Sequence, residues 1–359
     1  MKPKIAVAMS GGVDSSVAAA LLKKEGADVT GFFCYFWSEG KGEGEELIQN
    51  KCCSLDSEMM ARRMCQKLNI PFYTLNLSRE FKKKVVDRFV DSYEEGNTPN
   101  PCVECNREIK FGLLLDKIRS LGFDFLASGH YSQVEKRGDQ YLLKKGLDEL
   151  KDQSYFLYTL TQDKLKHIKF PIGKMKKSEV RKLASRLDIP SAKREESQGI
   201  CFVKEKKHNN FLERNLKNIK QGRIVDQDGE VLGKHSGLPY YTLGQRGGIG
   251  IGGTGPYYVY KRDLKSNTLH VTSDPEDKKL FSSDMICQRP TWILGEKPPL
   301  PKKCLVKVRY MKQPVEVVIE EVTKKHIKAS FIEPLRAVMS GQSAVFYDNE
   351  VVLGGGIIE

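Results

Sequence analysis

The sequence lacks the features that would place it in a membrane or outside a cell. No apolar run approaches the roughly 18 residues that a membrane span needs; one of the longest, "GFFCYFW", covers 31–37. Behind Lys2 and Lys4 only Ile5 to Met9 are apolar before Ser10, too short a stretch for the apolar region of a secretion signal. A cytoplasmic protein without a membrane partner is therefore expected. The cysteines at 34, 52, 53, 65, 102, 105, 201, 287 and 304 have none of the even spacing of a disulfide framework, and they read as reduced thiols. Internal repeats and low-complexity tracts are absent as well.

What is present is ample chain and positive charge. With 359 residues there is room for two or three domains, each burying its own core. Lys and Arg number 59 against 46 acidic residues, a net charge of +13 that favours a polyanionic partner without naming one. The charge is densest at 163–194, where 11 basic residues face 3 acidic ones, a candidate for contact with a phosphate backbone.

Over the first two hundred residues, short apolar runs alternate with helical patterns. "KIAVAM", "DVTGFF", "PFYTL" and "FDFLASG" read as strands; Ser15–Lys24, Asp56–Leu68, Phe81–Tyr93 and Glu104–Leu121 read as helices. This alternation predicts an α/β fold with a doubly wound parallel sheet, whose ligands sit at the carboxyl ends of the strands. After about residue 205 glycine clusters and short β-rich runs take over, with a hairpin tip expected at Asp348-Asn349. The expected division is 1–205, 206–277 and 278–359, the last two small and β-rich. The glycine-rich "GQRGGIGIGG" follows no strand into a helix and reads as a hairpin or RNA-facing loop, not a nucleotide site.

The first strand runs straight into "AMSGGVDSS", residues Ala8, Met9, Ser10, Gly11, Gly12, Val13, Asp14, Ser15 and Ser16. A turn here can aim backbone N–H groups and serine hydroxyls at an anion, beside the positive end of the helix that follows. Asp14 is placed to cap that helix or to hold a magnesium ion. The lysine of a Walker loop is missing. "SGGVDSS" resembles the signature of the PP-loop ATP pyrophosphatases, which break ATP between the α and β phosphates. That resemblance implies a Rossmann-like fold, ATP with Mg2+ as cofactors, and adenylation of a substrate oxygen.

"GNTPNPCVECNREIKFG", "ASGHY", "KDQSYFL", "ESQGICFV", "YTLGQRGGIGIGG", "VRYMKQ" and "AVFYDNEVVLGGGII" extend the likeness nearly end to end. With the first loop they resemble the tRNA-specific 2-thiouridylases. The resemblance implies a last domain folded as a β-barrel that binds tRNA. It also implies adenylation of a wobble uridine on its 2-carbonyl oxygen, followed by displacement of AMP by persulfide sulfur. Cys105 matches the family's nucleophile and Cys201 the persulfide-bearing position. The expected tRNA acceptors are of the Lys, Glu and Gln type, the sulfur donor is a cysteine desulfurase or relay protein, and the enzyme is expected as a monomer.

On their own terms the residues agree: an activated ring oxygen calls for a soft nucleophile, and thiols supply one. Cys105 is predicted near a helix start, where the dipole, Arg107 and Lys110 should lower its pKa. The family often carries aspartate where this chain has Cys102, so an alternative follows in which Cys102, Cys105 and Cys201 hold a [4Fe-4S] cluster. The adjacent Cys52-Cys53 reads as loop or core. Further positions carried by the resemblance are Cys34 and Gly129 for the nucleotide. For the tRNA they are Asn100, Pro101, Cys102, His130, Lys151, Asp152, Gln153, Arg309, Tyr310 and Gln342. Read blind, "KDQ" is a helix start and Arg309 and Tyr310 are strand residues. A small-molecule ligase of the same nucleotide fold would keep "SGGVDSS" but has no need of Cys105, Cys201 or two basic β-rich appendages.

Overall fold

A computed structural model of the chain describes residues 2–37, 54–192, 199–203, 208–217, 219–252 and 256–359. Strand β1 (Lys4–Met9) leads into helix α1 (Val13–Lys24), then β2 (Asp28–Tyr35), α2 (Leu55–Lys67) and β3 (Phe72–Asn76). Continuous helices follow over 78–94 (α3) and 101–120 (α4). Next come β4 (Phe125–Ala127), β5 (Ser132–Arg137), β6 (Gln140–Lys145), β7 (Ile168–Lys169) and α5 (Lys177–Arg186).

Strands β3-β2-β1-β4-β7 form one parallel sheet in that order. Side chains alternate across it as strand geometry requires. Ile5, Val7, Met9, Val29 and Phe33 pack on one face with α1, α2 and α5, while Ala6, Phe32 and Cys34 pack on the other with Phe111, Leu114 and Ile118 of α4. The sheet is thus doubly wound, as the alternation predicts. After β1 the chain builds outward to β2 and β3, then crosses back to place β4 on the far side of β1. The crevice for a ligand opens at that reversal, between the carboxyl ends of β1 and β4.

Helix α6 (His208–Asn215) precedes a sheet of β8 (Gly222–Val225), β9 (Val231–His235), β10 (Tyr258–Asp263) and β11 (Thr268–Thr272), ordered β10-β11-β8-β9. Ile224, Val259, Leu269 and Val271 fill it. The final strands are β12 (Phe281–Trp292), β13 (Lys302–Lys307), β14 (Val315–Val322), β15 (His326–Arg336), β16 (Ser343–Asp348) and β17 (Val351–Ile358). They run β12-β15-β14-β13-β16-β17, and because β12 also pairs with β17 the ring closes into a six-stranded barrel. Asn349, at φ +54, turns the hairpin between β16 and β17 where the sequence places a tip.

Three local expectations change. The helix expected from Glu104 starts at Pro101 behind an Asn100 cap, and Cys105 opens a π-wound stretch, Cys105–Leu114. Arg309 and Tyr310 lie just beyond β13, not in it. The hairpin β5–β6 was not anticipated from the sequence, and it leaves the parallel sheet altogether. It reaches the barrel, where Lys144 pairs with Val351 and the Lys145 amide donates to the Glu350 carbonyl at 2.9 Å. Barrel residues Val345, Tyr347 and Val352 accordingly share a core with Leu126, Leu143 and Leu157. Cys52 and Cys53 lie outside the described residues.

Candidate active site

A cavity of about 300 Å3 occupies the crevice between β1 and β4, beneath α4. Its lining brings together Ala8, Met9, Ser10, Asp14 and Ser15 from the first loop, Cys34 from β2, and Gly129 and His130 after β4. Pro101, Cys102 and Cys105 enter from α4, Gln153 from the loop after the hairpin, and Cys201 from the segment 199–203. Thirteen positions named from sequence thus meet in one place. The cavity also takes Phe32, Phe36, Phe81, Asn106, Lys110, Ser128, Phe156 and Phe202, which sequence reasoning did not assign to a site.

The first loop owes its shape to small residues and internal bonds. Gly129 must be glycine for close approach: a Cβ there would sit 2.7 Å from the Asp14 carbonyl carbon and the Ser15 nitrogen. The N–H groups of the first turn of α1 have no preceding helical carbonyl to bond, so the turn keeps donors for an anion. The hydroxyls behave differently from expectation. Ser16 is buried and donates to the Gly12 carbonyl at 2.9 Å, and Ser15 donates to the same oxygen at 3.2 Å. Ser10 is the exposed hydroxyl of the three. Gly11, Gly12, Val13 and Ser16 stay outside the cavity lining and shape the turn from behind.

Asp14 neither caps α1, whose N-cap is Gly12 with no side-chain bond, nor stands ready for a metal. Its oxygens receive the Lys177 ammonium at 2.7 and 2.8 Å and the Tyr131 hydroxyl at 2.8 Å. Lys177 begins α5 in the basic window and reaches inward; other members of that window are also committed, Lys169 over the Phe125 ring and Lys166 to Asp163. Among the described residues no three His, Cys, Asp or Glu side chains assemble as a metal site. Cys102, Cys105 and Cys201 are all described, so the cluster alternative lacks its ligand set here and no step is built on it. The same holds for a magnesium ion held by the protein; a magnesium ion complexed to ATP phosphates needs no such set.

The thiols occupy distinct environments. Burial above all, and the neighbouring Cys201 after it, push the Cys102 thiol up to about 12, against the pull of Lys110. Cys102 is therefore a neutral S–H group, held at the second helical position while Asn100 accepts its backbone N–H at 3.2 Å. Cys105 is the fifth residue of α4, not the first. Arg107 does not turn to it, since its guanidinium donates to Glu104 at 2.6 Å and forms an ion pair with Glu108 at 3.2 Å. Lys110 does share the cavity with Cys105, because π winding brings residues four to five apart onto one face. Cys201 is half-buried on a segment anchored by Phe202, whose ring meets Phe89, Phe211, Phe81 and Trp37 at 5.4 to 6.1 Å. His130 bonds Ser128 at 2.7 Å; burial, and then the charge of Lys110, hold its pKa well below 6.5, so it is neutral.

Other positions carried from sequence lie outside the cavity. Asp152 is buried, and its carboxylate accepts from the Gly146 and Ser154 amides and the Ser154 hydroxyl, which leaves it no face for RNA. Gln153 instead accepts the Tyr131 N–H at 3.0 Å, while Lys151 stays off the cavity lining. Asn100 faces a second cleft, of about 850 Å3, between α3, α4 and the barrel. Arg309 is half-buried and donates to the Ala337 carbonyl. Tyr310 is half-buried, and its ring lies 4.4 Å from that of Phe156, which lines the cavity. Gln342 donates to the Thr98 carbonyl at 2.7 Å.

Family models match the chain in three segments. Residues 3–205 match the tRNA methyl transferase HUP domain, 209–273 the tRNA methyl transferase PRC-barrel domain, and 282–358 the aminomethyltransferase beta-barrel domain. The tRNA-specific 2-thiouridylase MnmA of Clostridium beijerinckii is 42% identical over 360 residues, covering 100% of this chain and 99% of that protein. Its namesake in Buchnera aphidicola is 44% identical over 362 residues, 99% of this chain and 96% of the relative. MnmA 2 of Thermoanaerobacter sp. strain X514 is 44% identical over 359 residues, with 99% and 98% covered. Likeness of this degree along the whole length, around a cavity that joins a phosphate loop to cysteine thiols, places the chain in the tRNA-specific 2-thiouridylase family.

Proposed function

We propose that this chain is a tRNA-uridine 2-sulfurtransferase that uses ATP to replace the 2-oxygen of a wobble uridine by sulfur. The observation that carries the reading is the single cavity in which the first loop, Cys105 and Cys201 meet. Phosphate chemistry at O2 and sulfur chemistry at C2 need to act on the same carbonyl group in turn, and a shared chamber allows it.

The steps balance as follows. The uridine O2 attacks the α-phosphorus of ATP and pyrophosphate leaves, received by the amides of the first turn of α1. Cys201 carries a persulfide delivered by a cysteine desulfurase or relay protein; its terminal sulfur bonds to C2, and AMP departs with the former oxygen. Cys105 then attacks the Cys201 Sγ, which breaks the S–S bond and leaves the outer sulfur on the base. The resulting Cys105–Cys201 disulfide takes two electrons from an external dithiol before the next turnover. Cys34, Gly129 and the backbone of Ala8 and Met9 would border the adenosine, and Pro101, His130 and Gln153 the base.

The acceptors are tRNAs of the Lys, Glu and Gln type, the enzyme is a cytoplasmic monomer, and the segments 1–205, 206–277 and 278–359 act as nucleotide, central and RNA-binding units. The net charge of +13 supports an RNA partner. Anaerobic reconstitution with unmodified tRNA, ATP, magnesium, a cysteine desulfurase with cysteine as persulfide donor, and a dithiol reductant, followed by nucleoside mass spectrometry, tests the reading. The expected product is 2-thiouridine; equal sulfur delivery to a transcript whose wobble base is not uridine overturns it.

A further inference from the structure

Residues 95–100 join α3 to α4 and so decide where the cysteine-bearing helix begins. Two β units reach this connector from different parts of the chain. From β10, Arg262 donates through Nη2 to the Gly96 carbonyl at 2.7 Å and through Nη1 to the Tyr241 carbonyl at 3.0 Å. From the barrel, Gln342 donates to the Thr98 carbonyl at 2.7 Å, and the Ser340 carbonyl accepts the Thr98 N–H at 2.9 Å. Gly341, at φ +88, lets the backbones meet: a Cβ there would stand 2.7 Å from the Thr98 nitrogen. Two residues further on, Asn100 caps α4 through the Cys102 amide.

Neither Arg262 nor Gln342 lines the cavity. Both act on backbone carbonyls of one six-residue connector, and Thr98 is 8% exposed, so its lost bonds could not be replaced freely by water. Main-chain bonds of this kind fix the path of a segment more than they add to a core. A displaced connector carries Asn100, and with it the first turn of α4, along.

We propose that Arg262 and Gln342 are positioning residues that hold the connector from the central sheet and from the barrel, so that the placement of Cys102 and Cys105 answers to both β units. The inference rests on the thiolation reading in one respect, that these β units carry the RNA. Engagement of RNA then reaches the thiols through Gly96 and Thr98, and the chamber is fully formed only when both holds are made.

The test uses the full chain as Arg262→Ala, Arg262→Lys and Gln342→Ala, each checked for folding by its thermal transition. Two readouts are compared with wild type: kcat and KM for tRNA at saturating ATP, and the rate at which iodoacetamide modifies Cys105 in the free protein. The two alanine variants are expected to lower kcat about tenfold with KM for tRNA changed by less than about twofold, and to shift the Cys105 alkylation rate by about threefold or more. Arg262→Lys, which keeps a donor for the Gly96 carbonyl, should recover most of kcat. Folded alanine variants that raise only KM for tRNA, with kcat and alkylation unchanged, overturn the proposal. If Arg262→Ala fails to fold, Arg262→Lys against Gln342→Ala decides by the same criteria. Should wild type yield no 2-thiouridine, the thiolation reading falls, and the alkylation comparison still decides whether the connector positions the thiol.

Discussion

The Lys177 ammonium straddles the Asp14 carboxylate, 2.7 Å from one oxygen and 2.8 Å from the other, and so pins the first turn of α1 to the start of α5. The lysine side chain is 10% exposed and the aspartate 31%, so the pair is partly shielded from water. Lys177→Ala should lower tRNA-dependent pyrophosphate release by tenfold or more. Because Asp14 keeps some solvent, the stability loss should stay near ~1–2 kcal/mol. Pyrophosphate assay and urea denaturation measure the two effects separately. Asp14→Ala should abolish release.

Cys201→Ser should bind ATP and tRNA as wild type does and yet form no thiolated nucleoside, because an alkoxide cannot carry sulfane sulfur. Filter binding and nucleoside mass spectrometry check it. Robust thiolation by this variant would reassign the thiols.

The Cys102 thiol, raised to about 12 by burial, should react slowly with iodoacetamide at neutral pH, with a rate still climbing above pH 10. Linkage gives the companion effect. A thiol that ionises near 9 when unfolded but only near 12 when folded favours the folded state below pH 9, and that contribution is lost as pH rises from 9 toward 12. Cys65, Cys287 and Cys304 are raised likewise, so the urea midpoint should fall steadily across this window.

Phe202→Ala should cost about 3–5 kcal/mol, as for other large aromatic truncations in a core. It should also impair sulfur transfer more than adenylation, because Phe202 anchors the segment that bears Cys201 among four rings. Comparing pyrophosphate release with 2-thiouridine yield separates the two.

Affinity for tRNA should fall steeply with salt, by tenfold or more between about 50 and 200 mM if several phosphates are neutralised. A flat salt response would remove the net charge of +13 as support for RNA binding.

The parallel sheet was legible because each strand is a compact apolar run followed by a helix with its own turn signals, and the first loop was legible because glycine and serine crowd directly behind β1. Cys105 and Cys201 were found by motif, and their meeting is a tertiary fact that local pattern does not contain. Lys177 was hidden in a basic window, where nothing local distinguishes an inward lysine from a solvated one. The π winding that turns Lys110 and Cys105 into one cavity has no sequence period of its own. Hairpin β5–β6 did leave a mark, Gly138-Asp139 between two short alternating segments, but which sheet it joins depends on the barrel two hundred residues later. Asp152 was given to RNA by resemblance, whereas burial turns it inward, and Tyr310, given likewise, packs its ring against that of Phe156.

The reach of β6 across to β17, with Val345, Tyr347 and Val352 embedded beside Leu143, has a bearing on inheritance and engineering. Severing the gene at the boundary between front and back halves would strip apolar side chains bare on both fragments, so neither should be soluble when expressed separately. Chimeras between relatives should tolerate exchange of the middle sheet more readily than of the barrel, unless the 132–145 ribbon travels with it.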